Sequence, residues 1–298
     1  MLRDPIELYA YPREWCSSKD IVEKVRSGLY ILTEDGFLRR GITTATTACA
    51  AINAAIASIS GEVDSVEVLT PVGLKVRVEV EAANGVARVR KFAGDHEFDV
   101  TDGIGVVAKL GGKEIVFGSG IGMIRGRKAV SRAAMRQIMD NFREYAAKYR
   151  YRGGVIVEVP DGEKIAKRTK NEKLGILGGI SILGTTGFVE PWCRKLVETK
   201  IEIAKQYDKI VVATGRKAWQ YALKKYRGYQ PFVFGVHIDE VLKKHPGEKV
   251  IVGFPGLLSI WAGGRDKIEE KAARYGVKIE VLEDAACSWS WNLQRAHN

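Results

Sequence analysis

Residues 209–225 read KIVVATGRKAWQYALKK, and two patterns meet inside that stretch. Lys209–Ala213 is an almost unbroken apolar run of the kind a strand buried on both faces requires. Thr214-Gly215-Arg216 interrupts it, and Lys217–Lys225 continues as a helical pattern. Strand, glycine turn and helix in that order form the unit from which parallel sheets are assembled. Downstream, Pro231–Gly235, Lys249–Gly253 and Val277–Leu282 predict further strands, with helices over Ile238–Lys244 and Arg265–Tyr275. Upstream, Val155–Val159 and Ile180–Leu183 predict two more strands, and Pro191–Gln206 predicts a helix. This alternation predicts an α/β C-terminal domain over 161–298 with a mostly parallel, Rossmann-like sheet.

The preceding residues, 1–160, lack that alternation and predict an α+β domain. Lys75–Glu81 alternates with period two, and Asn84-Gly85 turns it toward Val86–Arg90, the signature of a two-residue hairpin. Val106–Leu110, Gly111-Gly112 and Lys113–Phe117 predict a second hairpin. Residues 43–59, TTATTACAAINAAIASI, predict a helix with Ile52, Ile56 and Ile59 along one side. Arg127–Arg150 predicts another, with Val130, Ala134, Ile138, Phe142, Tyr145 and Tyr149 in an apolar stripe and Arg132, Arg136 and Arg143 elsewhere.

Composition removes several classes of function. Cys16, Cys49, Cys193 and Cys287 form no C-x-x-C pair, and His96, His237, His245 and His297 are scattered, so no zinc or iron–sulfur spacing is present and the thiols read as reduced and structural. No apolar stretch reaches the roughly eighteen residues of a membrane span, and the charged N-terminal region does not resemble a signal peptide, which together predict a cytoplasmic protein. A net charge of +11 predicts an anionic partner, either nucleic acid or a polycarboxylate or phosphate ligand.

In open parallel sheets ligands bind beyond the carboxyl ends of the strands. Three such ends carry glycine here: Gly184-Thr185-Thr186-Gly187, Thr214-Gly215-Arg216 and Gly253-Phe254-Pro255-Gly256. Glu190-Pro191 suits the first turn of a following helix. A competing feature, Gly118-Ser119-Gly120-Ile121-Gly122, has the G-x-G-x-G spacing of nucleotide turns but follows an expected hairpin. The alternatives are therefore a nucleic-acid-binding α/β protein, suggested by charge alone, and a nicotinamide-dependent oxidoreductase built on Gly118–Gly122.

Three stretches in one order narrow the choice: RRGITTATTACAAINAA, DVTDG at Asp99–Gly103, and GGISILGTTGFVEP at Gly178–Pro191. They resemble the cobalt-precorrin-5B C1-methyltransferase family of anaerobic cobalamin biosynthesis over nearly the whole chain. Pro160, Gly162, Glu163, Ala166, Thr169, Asn171, Leu174 and Gly175 fall on the same pattern. The chain departs from it at Ala45, Ser131, Arg132, Phe254 and Leu257, and roles tied to the family's His and Lys at the last two do not carry over. The resemblance implies methyl transfer from S-adenosylmethionine to C1 of cobalt-precorrin-5B, giving cobalt-precorrin-6A, with cobalt inside the substrate and none bound by protein.

On that reading Asp99 and Asp102 are the candidate catalytic residues. Gly184, Thr185, Thr186, Gly187, Thr214 and Gly215 are the expected S-adenosylmethionine contacts, and Thr43, Thr44, Arg125, Arg132 and Arg136 the expected substrate contacts. The expected partner is the tetrapyrrole, held in a cleft between the domains, without nucleic acid or membrane; a homo-oligomer is compatible with the sequence.

Overall fold

The computed structural model describes residues 1–16 and 18–283, so Cys287 and His297 lie outside the described residues. The chain forms a mixed α/β structure of two compact units. One comprises Ser27–Ile31 and Leu38–Trp192, the other Met1–Arg26, Leu32–Phe37 and the chain from Cys193 onward. The principal boundary thus falls at 192/193, whereas the pattern change in the sequence falls near 160. The chain passes between units at Arg26, within the hairpin of β1 (Tyr30–Thr33) and β2 (Gly36–Arg39), and at Trp192.

The 27–192 unit is built on a six-stranded sheet. Its strands are β4 (Val63–Leu69), β5 (Lys75–Ala83), β6 (Val86–Arg90), β7 (Gly105–Leu110), β8 (Ile115–Phe117) and β11 (Val155–Glu158), in the order β4-β5-β6-β7-β11-β8. The β5–β6 hairpin is as expected, with Asn84 (φ 51°) and Gly85 (φ 77°) supplying the two left-handed residues of a tight turn. The second expected hairpin does not form. β11 lies between β7 and β8, antiparallel to the first and parallel to the second, and Gly111-Gly112 opens the connection to admit it through Gly111 N–H to Gly154 O (3.0 Å) and Gly154 N–H to Gly112 O (2.9 Å).

Helix α2 (Thr44–Ala57) packs on this sheet and is buried along its whole length, which its alanines permit because they add little bulk between sheet and helix. Its other side meets α3 (Arg132–Lys148). Residues 127–131 are not helical: Arg127–Lys128 forms β10, paired with β9 (Met123–Ile124), and Ser131 caps α3 by accepting from Ala134 N–H (3.2 Å). The edge strand β4 is closed by side chains. Asn141 exchanges two hydrogen bonds with the Leu69 backbone (2.8 and 2.9 Å), Tyr145 two with Glu67 (3.0 and 3.2 Å), and Asn53 donates to Glu67 O (3.0 Å). An edge satisfied in this way is withdrawn from pairing with another chain.

In the other unit β13 (Lys209–Ala213), β14 (Gln230–Val233), β15 (Glu248–Gly253) and β16 (Lys278–Val281) form an all-parallel sheet in the order β14-β13-β15-β16. These are the Lys209–Ala213 strand and the three strands expected downstream of it. Val155–Glu158 belongs instead to the six-stranded sheet, and Ile180–Leu183 makes only single bridges, Ile180 to Ile121 and Ile182 to Val130, both within the 27–192 unit. Among the described residues the α-helices of this unit are α1 (Lys19–Arg26), α5 (Arg194–Ala204), α6 (Arg216–Lys225), α7 (Ile238–Lys244), α8 (Pro255–Ala262) and α9 (Ile268–Arg274); α1 and α8 are additional to the helices expected from the sequence. Among the described residues no helix is long and apolar enough to cross a membrane.

Candidate active site

Within the 27–192 unit, α2 and α3 begin against the same peptide. Thr43 N–H donates to Gly187 O (3.0 Å), Ala45 N–H to Leu183 O (3.1 Å), and Ser131 N–H to Ile182 O (3.0 Å). The Thr44 hydroxyl accepts from Leu183 N–H (2.8 Å) and sits 3.2 Å from Ser181 O, while the Thr46 hydroxyl donates to Gly187 O (2.8 Å). Two helix starts at one place give that end of the unit positive potential, since the macrodipoles add. Arg132 and Arg136 are exposed in the first turns of α3, one turn apart, and Arg125 is exposed in the two-residue turn joining β9 to β10.

That packing explains the small residues of GTTG. A Cβ on Gly184 would stand 2.6 Å from Thr43 Oγ1, and one on Gly187 (φ 90°) 2.7 Å from Thr70 Cβ. The glycines are occupied by the start of α2 and by Thr70. The buried Thr186 hydroxyl is engaged within the turn, accepting from Phe188 N–H (3.2 Å) and lying 3.1 Å from Phe188 O. Thr185 is exposed. Thr186→Val is therefore expected to destabilise the fold by about 1–3 kcal/mol through the orphaned Phe188 amide, with ligand affinity unchanged per folded molecule; paired thermal melts and S-adenosylhomocysteine titrations check it. Nor does a helix begin at Glu190. α5 starts at Arg194, and Glu190 instead accepts from the fully buried Arg40 Nε at 2.9 Å, a countercharge that a buried guanidinium requires.

Asp102 and Asp99 sit on the loop between β6 and β7. Asp102 is exposed and accepts from Ala93 N–H (2.8 Å); the adjoining Phe92 carbonyl accepts from Ile42 N–H (2.8 Å), just ahead of Thr43. These contacts join the DVTDG loop to the start of α2. Asp99 is half-buried and paired with Lys91 (2.5 Å), and it accepts twice from Thr101. Burial pushes its carboxyl upward, but the Lys91 and Thr101 hydrogen bonds outweigh burial and hold it below the ordinary carboxylate value. Such a carboxylate anchors a loop better than it accepts a proton. Lys91, 4% exposed, went unnoticed in the sequence, although it continues the inward phase of Ala87 and Val89. His96 is likewise a loop residue, its Nδ1 accepting from Phe98 N–H (3.0 Å).

Thr214 and Gly215 belong to the other unit, so the residues expected to hold the methyl donor fall into two groups. The parallel sheet reverses its winding between β13 and β15, because β13 leads outward to β14 and β15 to β16. At that reversal lie Thr214-Gly215 and Gly253-Phe254, followed by α6 and α8, neither of which has a side-chain N-cap bond. Thr214 packs against Gly253, where a Cβ would meet its Cγ2 at 2.5 Å; a Cβ on Gly215 or Gly256 would meet nothing within 4 Å. A helix start beside open space suits a carboxylate ligand. Pro255 at the first position of α8 was the available sequence signal for this second helix start.

The G-x-G-x-G stretch is filled by protein. A Cβ on Gly120 would stand 1.7 Å from Val159 O, one on Gly122 2.6 Å from Ile176 Cγ2, and one on Gly118 2.9 Å from Glu158 Cγ. The nicotinamide alternative loses its site. Among the described residues no group of three or more His, Cys, Asp or Glu side chains is placed to hold a metal ion. His245 is buried with Nε2 2.9 Å from Tyr207 O and Nδ1 accepting from Gly247 N–H, an engaged structural histidine.

Residues 32–191 match the CbiD family model. Over 297 residues the chain is 63% identical to the cobalt-precorrin-5B C(1)-methyltransferase of Archaeoglobus fulgidus, covering 99% of each. It is 37% identical to the protein of the same name from Methanosarcina acetivorans, covering 95% of this chain and 88% of that one. A crystal structure of the cobalamin biosynthesis protein cbiD from Archaeoglobus fulgidus superimposes with a TM-score of 0.93 at 64% identity, covering 95% of this chain and all of the other.

Proposed function

The chain belongs to the CbiD family, and we propose that it transfers the methyl group of S-adenosylmethionine to C1 of cobalt-precorrin-5B, giving cobalt-precorrin-6A, in the cytoplasm. It is a C-methyltransferase of cobalamin biosynthesis. The observation that carries the reading is near-full-length identity to a relative of that name. The reversal point of the parallel sheet, with open space beside Gly215 and Gly256, supports a Rossmann-like donor site there, with Thr214 and Gly215 as its floor and the start of α6 facing the methionine carboxylate. The tetrapyrrole is assigned to the 27–192 unit, where Thr43, Thr44, Arg125, Arg132 and Arg136 accompany two helix starts and carboxylates meet cations.

The bound donor supplies an electrophilic methyl on a sulfonium. The protein's share is to orient the acceptor carbon and exclude water, for which close backbone packing is more useful than a nucleophile or a strong base. A weakly basic Asp99 fits that division of labour, and the exposed Asp102 is the more accessible of the two to a ligand.

Gly215→Asp tests the donor site without disturbing the fold. Gly215 has extended backbone (φ −173°, ψ 177°) and open space at its Cβ, so aspartate fits and caps α6. Its carboxylate then occupies the amides the ligand needs. The expected outcome is a melting temperature unchanged or raised, with S-adenosylhomocysteine affinity lowered about tenfold or more, roughly 1.4 kcal/mol. Normal calorimetric binding by the folded variant would move the donor site elsewhere. Transfer of radiolabelled methyl to cobalt-precorrin-5B by the unaltered protein tests the activity itself.

A further inference from the structure

The 27–192 unit carries an apolar surface that its own fold leaves uncovered. Leu174 is 65% exposed, Leu177 61% and Met123 38%. Met123 and Leu177 exchange both backbone hydrogen bonds (2.7 and 2.9 Å), so their side chains belong to one patch, and Leu174 ends the short helical turn that leads into Leu177 through Gly175. Nothing about the patch is loose. Ile176 beside Leu177 is buried, Asn171 is buried with its Nδ2 donating to Gly179 O (3.1 Å), and Ile176 N–H returns to Asn171 O (2.9 Å). Gly175 and Gly178, both at φ 73°, turn the chain on either side and hold Leu177 outward.

Exposed cations flank these three side chains along the chain. The segment 167–178 contains Lys167, Arg168, Lys170 and Lys173 against one acid, Glu172. Exposed Arg125 and Arg127 stand on the β9–β10 hairpin, whose Met123 opposes Lys128. Uncovered leucine and methionine rimmed by positive charge are complementary to a flat apolar ring bearing carboxylates around its edge.

Building on the methyltransferase reading, we propose that Met123, Leu174 and Leu177 seat one face of the tetrapyrrole macrocycle, with peripheral carboxylates met by Arg125 and Arg127 from the hairpin and by Lys170 and Lys173 from the turn. Ring-face burial against the leucines supplies affinity, and the two groups of cations fix the ring's rotation. The patch continues along the chain to Ser181 and Leu183 beside Thr44, so the seat and the helix starts share one segment.

The probe is cobyrinic acid, a cobalt corrinoid with free carboxylates, titrated against the full chain by tryptophan fluorescence. The variants are Leu174→Asp/Leu177→Asp and Lys170→Glu/Lys173→Glu, all at exposed positions. Each pair is expected to weaken probe binding about tenfold or more, with melting temperature and S-adenosylhomocysteine affinity retained. Added salt is expected to weaken the unaltered protein more than the charge-reversed one. Unchanged probe affinity in both pairs overturns the seat. So does a protein that ignores cobyrinic acid yet binds phosphatidylglycerol vesicles through these leucines. Turnover of cobalt-precorrin-5B separates the two levels: unaltered turnover and KM in the variants defeats the seat alone, whereas no turnover by the unaltered protein defeats the methyltransferase reading.

Discussion

Gly120→Ala is expected to leave no folded protein. Gly120 has φ 69°, a conformation costing an L side chain about 1–2 kcal/mol, and its added Cβ would stand 1.7 Å from Val159 O, immediately after β11. That oxygen is main chain and cannot swing aside. The surroundings are equally tight: a Cβ on Gly162 would meet Gly120 O at 2.0 Å, and one on Gly179 would meet it at 2.2 Å. Three backbones therefore converge where the 27–192 unit joins β11, the GTTG-bearing segment and the chain after β8. Relief of the contact requires separating them, a loss above about 4–5 kcal/mol against a total stability of about 5–15 kcal/mol. Gly111→Ala is the control, since Gly111 has neither positive φ nor a neighbour within 4 Å of an added Cβ. Soluble yield and circular dichroism read the result. A Gly120→Ala protein melting near the unaltered one would show that the junction can relax.

The second large effect concerns Glu7 and Lys200. Both are essentially unexposed, with Lys200 Nζ 2.5 Å from Glu7 Oε1 and 3.1 Å from Val233 O, while Glu7 Oε2 accepts from Val233 N–H (3.0 Å). The N-terminal segment thus closes the open edge of β14, and Tyr9 stacks on Phe232 beside it (5.3 Å). Removing either charge alone takes the nearest countercharge from a group that is out of water. Glu7→Gln and Lys200→Met are each expected to cost about 3–5 kcal/mol. The combined variant is expected to recover part of that loss, because neither member of the pair is then left buried without the other. Guanidinium unfolding of the four proteins gives the coupling directly. Additive losses in the double variant would mean that the pair acts only through packing.

The candidate site was legible where a residue's type and its chemistry coincide. Arg125, Arg132 and Arg136 read as anion contacts because charged groups favour solvent, and the structure leaves all three at the surface while burying Arg40, Lys91 and Lys200 against partners. Thr214-Gly215 read as a strand end because strand, turn and helix are consecutive in the chain. The GTTG loop was legible as a place of close approach, but not as to what approaches: the start of α2, some 140 residues earlier, fills the space expected for a ligand. Asp99 read as a candidate base because its partner Lys91 lies outside the motif, on the far side of the loop.

By itself the sequence determined the features that arise from neighbours along the chain. The period-two run and Asn84-Gly85 dictate the β5–β6 hairpin, since only one turn geometry joins strands through two left-handed residues. The apolar runs from Lys209 to Val281 dictate a parallel sheet, since consecutive strands separated by helices return in the same direction. Three matched stretches likewise carried the family. Tertiary structure alone decided that Val155–Glu158 enters between β7 and β8, and that Ile180–Leu183 braces two helix starts instead of joining the parallel sheet. An apolar strand four residues long suits either sheet, and its choice is made by which edge offers unpaired backbone groups and which core has room, quantities that exist only once distant segments have met.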